Sequence, residues 1–230
     1  TYDLEDTLRR EYREKGVNEV LIITRTNKLA NRINQYVRTA ILEKENQIDI
    51  GETIMSVKNN YFWTEKAALS DFIANGDMLE ITRIFGYEEA FGLRFADVAV
   101  RFADRAEATE IELTVILDTL LDDRASLDEE RQNRLYEELY AFYSQDCSNK
   151  VTIKQAIKQD KHYNALQIKF ANALTCHKAQ GGDWQTVFIQ QGFFSDDMLN
   201  TEYFRWLYTA VTRAKEKLYL VNFAEDFFAD

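Results

Sequence analysis

The sequence predicts an α/β protein: a parallel-sheet lobe that carries an inserted small β-barrel and a helical insertion. Three observations carry this reading. Short all-apolar runs alternate with helical stripes at both ends of the chain, as in Val20–Ile23 near the start and "KLYLVNF" near the end. Between them lies a stretch of short alternating strands from Gly51 to Ile116. Two charged helical patterns follow before the strand–helix rhythm returns.

The elements are read in order. "TYDLEDTLRREYREKG" spaces Leu4, Leu8 and Tyr12 four apart, one helical stripe with Gly16 as its stop. Val20 to Ile23 form a strand buried on both faces. Thr26 or Asn27 caps a helix that carries Leu29, Ile33, Val37 and Ile41 on one side. "GETIMSVKNNYFW" reads as a strand entering a polar turn, and "NGDMLEITRIFGYEEAFGLRF" as a hairpin turning near Gly86–Gly92. Val98, Val100 and Phe102 alternate, as do Ile111, Leu113 and Val115, which gives about five short strands over 51–116 and a small antiparallel barrel.

Ser126 and Glu129 read as a capping box opening an acidic helix with Leu135, Leu139 and Phe142 inward. A lysine-rich helix follows over about 151–159. "LQIKFANALT" reads as one strand that delivers the chain into "TCHKAQGGDW". "QTVFIQ", the helix "EYFRWLYTAVTRA" and a last buried strand complete the layer.

Composition bounds the function. Of 230 residues, 46% are apolar and 29% charged, as in soluble globular proteins. No apolar run reaches the roughly 18 residues of a membrane span, so no membrane partner is expected. Net charge is −11, which argues against a protein coated for nucleic acid. The distribution is uneven: residues 104–146 hold 13 acids and 4 bases, whereas 147–182 hold 6 lysines and 1 aspartate. Cys147 and Cys176 lack short metal or redox spacing, which suits a cytoplasmic location. A zinc site would require both of them to converge with His162 and His177, so no metal is assigned to this chain.

"TCHKAQGGDW" concentrates scarce residues where a strand should end, the edge at which parallel sheets bind ligands. Its adjacent glycines let backbone approach a ligand closely, and Thr175, His177, Lys178 and Gln180 can donate to phosphate or sugar oxygens. A tight turn with a solvated lysine is the plain alternative.

These residues also carry a resemblance. "TCHKAQGGDWQTVFI" resembles motif V of superfamily 1 helicases, "YTAVTRAKEKLYLV" resembles motif VI, and "LIITRTNKLANRIN" resembles motif IV. "GETIMSVKNNY" and "NGDMLEI" are similar to segments around the small barrel inserted in the RecD and Dda branch. The resemblance implies a RecA-like second motor lobe over 1–50 and 160–230, an SH3-like barrel over 51–116 and a lineage-specific helical insertion over 117–159. It implies the C-terminal part of an ATP-dependent DNA helicase, moving 5′ to 3′ on single-stranded DNA and related to exodeoxyribonuclease subunits.

ATP and Mg2+ would be bound mainly by an N-terminal RecA-like lobe outside this sequence, because no Gly-Lys pair, and hence no phosphate-cradling GxxxxGK[ST] loop, occurs here. That lobe, single-stranded DNA and a repair or recombination protein are the implied partners.

The resemblance assigns catalytic roles at the γ-phosphate to Arg213 and Arg25, whose planar fork neutralises charge on transferred phosphate. Gly181, Gly182 and Asp183 would face nucleotide, with Asp183 standing where the family usually has glutamate. Thr175, His177 and Lys178 would contact DNA, as would Asn59, Asn60 and Tyr61 at the start of the barrel. For Arg213 the alternative is a helix-end arginine paired with a carboxylate; for Asn59, Asn60 and Tyr61 it is a simple turn. Trp206 and Tyr208 read as core packing, and Cys176 as a small buried residue. A non-catalytic protein-interaction module and an RNA helicase lobe stay open as alternative functions.

Overall fold

The computed structural model describes residues 3–67, 72–103, 109–195 and 198–228. The chain forms two compact units, one from residues 1–45 with 171–230 and one from 46–170.

In the first unit a four-stranded sheet runs in the order β7-β1-β8-β9, with every neighbouring pair parallel. The strands are β1 (Val20–Thr24), β7 (Ala173–Thr175), β8 (Trp184–Gln190) and β9 (Ala214–Val221). Central β1 is buried throughout, which is why it reads as an uninterrupted apolar run. Helix α1 (Leu4–Lys15) buries Leu8 and Tyr12, is capped by Asp3 and ends at Gly16, where φ is +89°. Leu4, at the head of the expected stripe, is 40% exposed. Helix α2 (Asn27–Tyr36) starts at Thr26, whose hydroxyl accepts from Leu29 N–H, and widens into a π turn over Val37–Ile41. Helix α6 (Thr201–Val211) is capped by Asn200.

Two buried polar groups fasten this unit. Asn34, on α2, donates from Nδ2 to the Ala173 carbonyl and accepts the Ala173 N–H at Oδ1, both at 2.8 Å. The amide thus pairs with the outer strand β7 as a neighbouring strand would. The Glu11 carboxylate, fully buried, accepts from Lys217 Nζ at 2.9 Å, Tyr219 OH at 2.8 Å and Thr186 Oγ1 at 3.1 Å. Burial raises its pKa, and these hydrogen bonds outweigh that, leaving it below the ordinary range.

The second unit is a closed barrel in the order β2-β3-β4-β5-β6. Its strands are β2 (Thr53–Ser56), β3 (Met78–Ala90), β4 (Leu93–Phe102), β5 (Ile111–Ile116) and β6 (Leu166–Phe170). A short helix α3 (Phe62–Lys66) lies between β2 and β3. The long β3–β4 hairpin carries register shifts at Ile81/Arg83 and Ile84/Gly86, bulges of the kind that bend strands round a barrel. Ile54, Leu79, Ile81, Val98, Val100, Ile111, Leu113, Val115 and Ile168 fill the interior with Trp63.

Helices α4 (Glu129–Ser144) and α5 (Lys150–Gln159) cover one side of the barrel. Leu135, Leu139, Ile153 and Ile157 pack on Leu93, Phe95 and Ile116.

Several expectations are corrected here. Four strands, not five, lie within 51–116, and the fifth is β6. "LQIKFANALT" is therefore two strands: β6 closes the barrel between β2 and β5, and β7 enters the parallel sheet after a break at Ala171–Asn172. The β5–β6 pair is parallel, so the barrel is not wholly antiparallel. The helices expected as a separate insertion share the barrel's unit and its apolar surface. Asp128, not Ser126, caps α4, accepting from Arg131 N–H at 2.7 Å. Phe142 is 51% exposed, since Leu135 and Leu139 already fill the inward stripe. Strand β9 is half-exposed because it is the sheet's edge.

Candidate nucleotide and nucleic-acid site

Because β7, β1 and β8 are parallel, Thr175, Arg25 and Gln191 all leave the sheet at its carboxyl edge. The loop after β7 closes one turn at once: the Thr175 carbonyl accepts from Lys178 N–H at 2.9 Å and Ala179 N–H at 3.1 Å. Cys176 and Ala179 point into the protein and are buried, and the Cys176 thiol donates to the Trp206 carbonyl of α6 at 3.4 Å. Burial pushes that thiol's pKa up. With these two residues inward, His177 is left exposed and Lys178 half-buried. Lys178 forms no ion pair among the described residues, and burial alone lowers its pKa. A partly desolvated ammonium without a counter-ion is poised to take an anion.

The loop then crosses to the amino edge, where β8 and β9 begin side by side. Gly181 takes φ of +92° and faces open space. Gly182 differs: a Cβ there would lie 2.5 Å from the Trp184 indole, so the ring, rather than a ligand, occupies the room the missing side chain leaves. Asp183 is paired with Lys215 at 2.6 Å, both largely exposed.

Arg213 follows α6 directly. Its Nε donates to the Thr209 carbonyl at 3.1 Å, one terminal nitrogen to the Gly182 carbonyl at 3.0 Å, and the other to Thr212 Oγ1 at 3.1 Å. Its own carbonyl accepts from Trp184 N–H at 2.9 Å. Those partners are carbonyls and a hydroxyl, not the carboxylate that a simple ion pair would supply. Three of five guanidinium donors are used, so the fork is oriented while two N–H groups remain.

Arg25 packs against the first two turns of α6. Its guanidinium lies over the rings of Tyr203 at 5.5 Å and Trp206 at 5.7 Å. Arg213 lies past the carboxyl end of this helix and folds back onto the Thr209 carbonyl. Arg25 lines a groove of about 480 Å³ with Lys28, Arg32, Gln191, Phe193 and Met198. Gln191, buried at its floor, donates to Tyr203 OH at 2.9 Å. Trp206 is half-buried as a packing residue would be, whereas Tyr208 is 71% exposed and is no part of the core.

Asn59, Asn60 and Tyr61 belong to the barrel unit. Asn60 is occupied structurally: Nδ2 donates to the Asn164 carbonyl at 2.9 Å, and Oδ1 accepts from Trp63 N–H at 3.3 Å. Asn59 Oδ1 accepts from Asn75 N–H at 2.8 Å. Tyr61 is exposed and stacks on Phe72 at 4.7 Å. Lys28, Arg32 and Gln191 were not read from sequence; the spacing of the two cations on α2 was the signal available. Among the described residues, no three His, Cys, Asp or Glu are grouped to hold a metal ion, and no helix is long and apolar enough to cross a membrane.

No curated protein matches the chain. Among solved structures it is similar to a Pif1 helicase from Candida albicans, at 11% identity over 98% of this chain and 51% of that one, with a TM-score of 0.46. It is also similar to a Pif1 helicase from Bacteroides in complex with ADP-AlF3 and ssDNA, at 14% identity over 93% of this chain and 43% of that one, with a TM-score of 0.47. The chain thus spans about half the length of these structures. Residues 170–221, which hold β7, the crossing loop, α6 and the turn bearing Arg213, match the UvrD-like helicase C-terminal domain.

Proposed function

We propose that the chain is the C-terminal motor lobe of a superfamily 1 DNA helicase, of the RecD-like branch, moving 5′ to 3′ on single-stranded DNA. The observation that carries this reading is the Arg213–Gly182 hydrogen bond. It joins the turn bearing a cationic fork to a loop whose far end presents His177 and the uncompensated Lys178. One hydrogen-bonded connection thereby links a group suited to phosphoryl transfer with groups suited to a phosphodiester backbone.

In this reading a P-loop lobe supplies the phosphate cradle, its lysine and Mg2+, and Arg213 approaches the γ-phosphate across the cleft. Gly181, open and with backbone to spare, and Asp183, once released from Lys215, border the nucleotide. Thr175, His177 and Lys178 hold DNA phosphates, and Arg25 with Lys28 and Arg32 continues that track along the carboxyl edge. Arg25 is placed on that track because it lines a groove with Lys28 and Arg32. The barrel, read as SH3-like, governs strand separation, with Tyr61 as its exposed ring for DNA; Asn59 and Asn60 shape the turn that presents it. A repair or recombination complex is the setting proposed for the whole enzyme.

The test uses the polypeptide in which this chain is joined to its P-loop lobe. Lys178→Ala should weaken single-stranded DNA binding and reduce the salt slope by about 0.7, with nucleotide affinity unchanged. This chain alone should not turn over ATP. Steady hydrolysis by the purified chain, or wild-type DNA binding by Lys178→Ala, would remove the reading.

A further inference from the structure

Helix α5, like α2, lacks the acidic first turn that α1 and α4 carry. α1 begins with Glu5 and Asp6 and ends with Arg13 and Lys15, and α4 begins with Glu129 and Glu130, each matching the helix dipole. α5 has no acid in its first turn and opens on Lys150 itself. Lys150, Lys154 and Lys158 then recur every four residues on one exposed face. Like charges at that spacing repel, so the ladder weakens the helix that bears it. None of the three forms an ion pair among the described residues, although acidic α4 packs beside them. Lys161, just beyond the helix, does pair, with Glu88 and Asp97 at 2.9 Å each. In a chain of net charge −11, three unpaired lysines in a row are a local cost that the fold does not explain.

The helix leads into a groove of about 440 Å³ between α4 and the barrel, a volume within the ~300–1,000 Å³ range of ligand sites. Asn164, on its wall, donates to the Lys158 carbonyl at 2.9 Å, which ties the groove to the end of the ladder. Asn59, Asn60, Asn133 and Lys58, whose ammonium donates to Gln132 Oε1 at 2.7 Å, also line it, as do Tyr136 and Tyr163, whose rings stand 6.2 Å apart, edge to face. Tyr163 is 45% exposed.

We propose that the α5 lysine ladder and the adjoining tyrosine–amide groove form a second binding site for single-stranded nucleic acid, on the barrel unit and separate from the loop at Lys178. Successive lysines rise about 6 Å along the helix, which suits neighbouring phosphates of one strand. Tyrosine faces stack on unpaired bases, and the exposed Asn133 amide can bond to a base edge, whereas the Asn164 amide nitrogen is already held by the Lys158 and Asp160 carbonyls. A duplex hides its base faces, and an acidic polypeptide offers nothing for the rings to stack on, so a single strand is the occupant that uses both halves of the site. The proposal rests on reading the chain as part of a nucleic-acid motor.

The test is fluorescence anisotropy of labelled oligo(dT) with this chain over a salt series. The triple variant Lys150→Gln/Lys154→Gln/Lys158→Gln should lose about tenfold or more in affinity at low salt. Its log–log salt slope should fall by about 2, since each single-strand phosphate contact contributes about 0.7. Its melting temperature should stay level or rise, because repulsion is removed. Tyr163→Ala should lose about fivefold or more with the slope unchanged. Wild-type affinity and slope in the triple variant overturn the proposal, as does a wild-type chain that retains no oligo(dT) at low salt. Equal displacement by polyglutamate of matched charge also overturns it, in favour of an acidic protein. Lys178→Gln in this chain separates the two sites: loss in the triple variant but not in Lys178→Gln supports this site as the one that holds oligo(dT) in the isolated chain, and loss in Lys178→Gln but not in the triple variant overturns it.

Discussion

The Arg213 guanidinium donates to the Gly182 carbonyl at 3.0 Å, and the Arg213 carbonyl accepts from Trp184 N–H at 2.9 Å. Two segments 31 residues apart in sequence are thus clasped around one glycine. Gly182→Ala should disturb that clasp, because the added methyl would sit 2.5 Å from the Trp184 ring. The indole must move, at an overpacking cost of about 1–3 kcal/mol. Urea unfolding of the variant checks this, and unchanged stability would mean that Trp184 yields freely.

Asn34→Ala should be among the most damaging changes outside the site. It leaves the Ala173 N–H and carbonyl without their partner at a position 1% exposed. A loss of about 2–3 kcal/mol is expected, read from the urea midpoint. Faster hydrogen exchange at Ala173 should accompany it. A variant as stable as wild type would show that β7 does not depend on this amide.

His162 gives the second unit a pH dependence. Its ring nitrogens face Asp160 Oδ1 at 3.2 Å and Glu88 Oε2 at 3.1 Å, and Tyr143 and Lys161 hold those same carboxylates. Burial works against the charged imidazole, but the two carboxylates outweigh it and raise its pKa from 6.5. Its stabilising contribution is therefore complete below that ordinary value and lost as pH rises through the higher folded one. Glu88, Asp97 and Asp160 are lowered from 4.5, 3.8 and 3.8, despite burial, so their contribution is lost as pH falls through the lower folded values. His162→Gln should flatten the loss of stability as pH rises above 6.5. An unchanged profile would place the dependence elsewhere.

Lys178→Met should separate stability from function. The ammonium is half-buried without a counter-ion, and burial lowers its pKa from 10.5. Removing the charge should leave the melting temperature level or higher while DNA affinity falls. A lower melting temperature would indicate that the charge holds the loop together.

The parallel layer was legible because β1 is apolar throughout and the caps at Thr26 and Gly16 stand where local rules put them. The break at Ala171–Asn172 was not, because one asparagine between two apolar stretches does not end a strand by itself and only strand pairing assigns β6 to the barrel. Asp128 displaced Ser126 as cap, a choice between neighbours that propensity cannot make. Asn34 and Glu11 look like ordinary helix-surface residues; their roles rest on partners 139 and more than 170 positions away. The loop at Thr175–Asp183 was found through its rare residues, but that Gly182 houses an indole and Asp183 an ion pair depends on β8 and β9 lying side by side.

The proposed function turns on Arg213, and single-stranded-DNA-stimulated ATP turnover with nucleotide affinity, measured on the Arg213→Ala variant of the polypeptide that joins this chain to a P-loop lobe, tests it most directly. An arginine acting as charge develops on the γ-phosphoryl group contributes about 10³–10⁵ in rate. Turnover should therefore fall by at least about a thousandfold while ATP affinity changes little, and Arg213→Lys should recover little of it because a point charge lacks the fork. Near-normal turnover in folded Arg213→Ala would make this residue a clasp for Gly182 and nothing more, and would contradict the motor-lobe assignment.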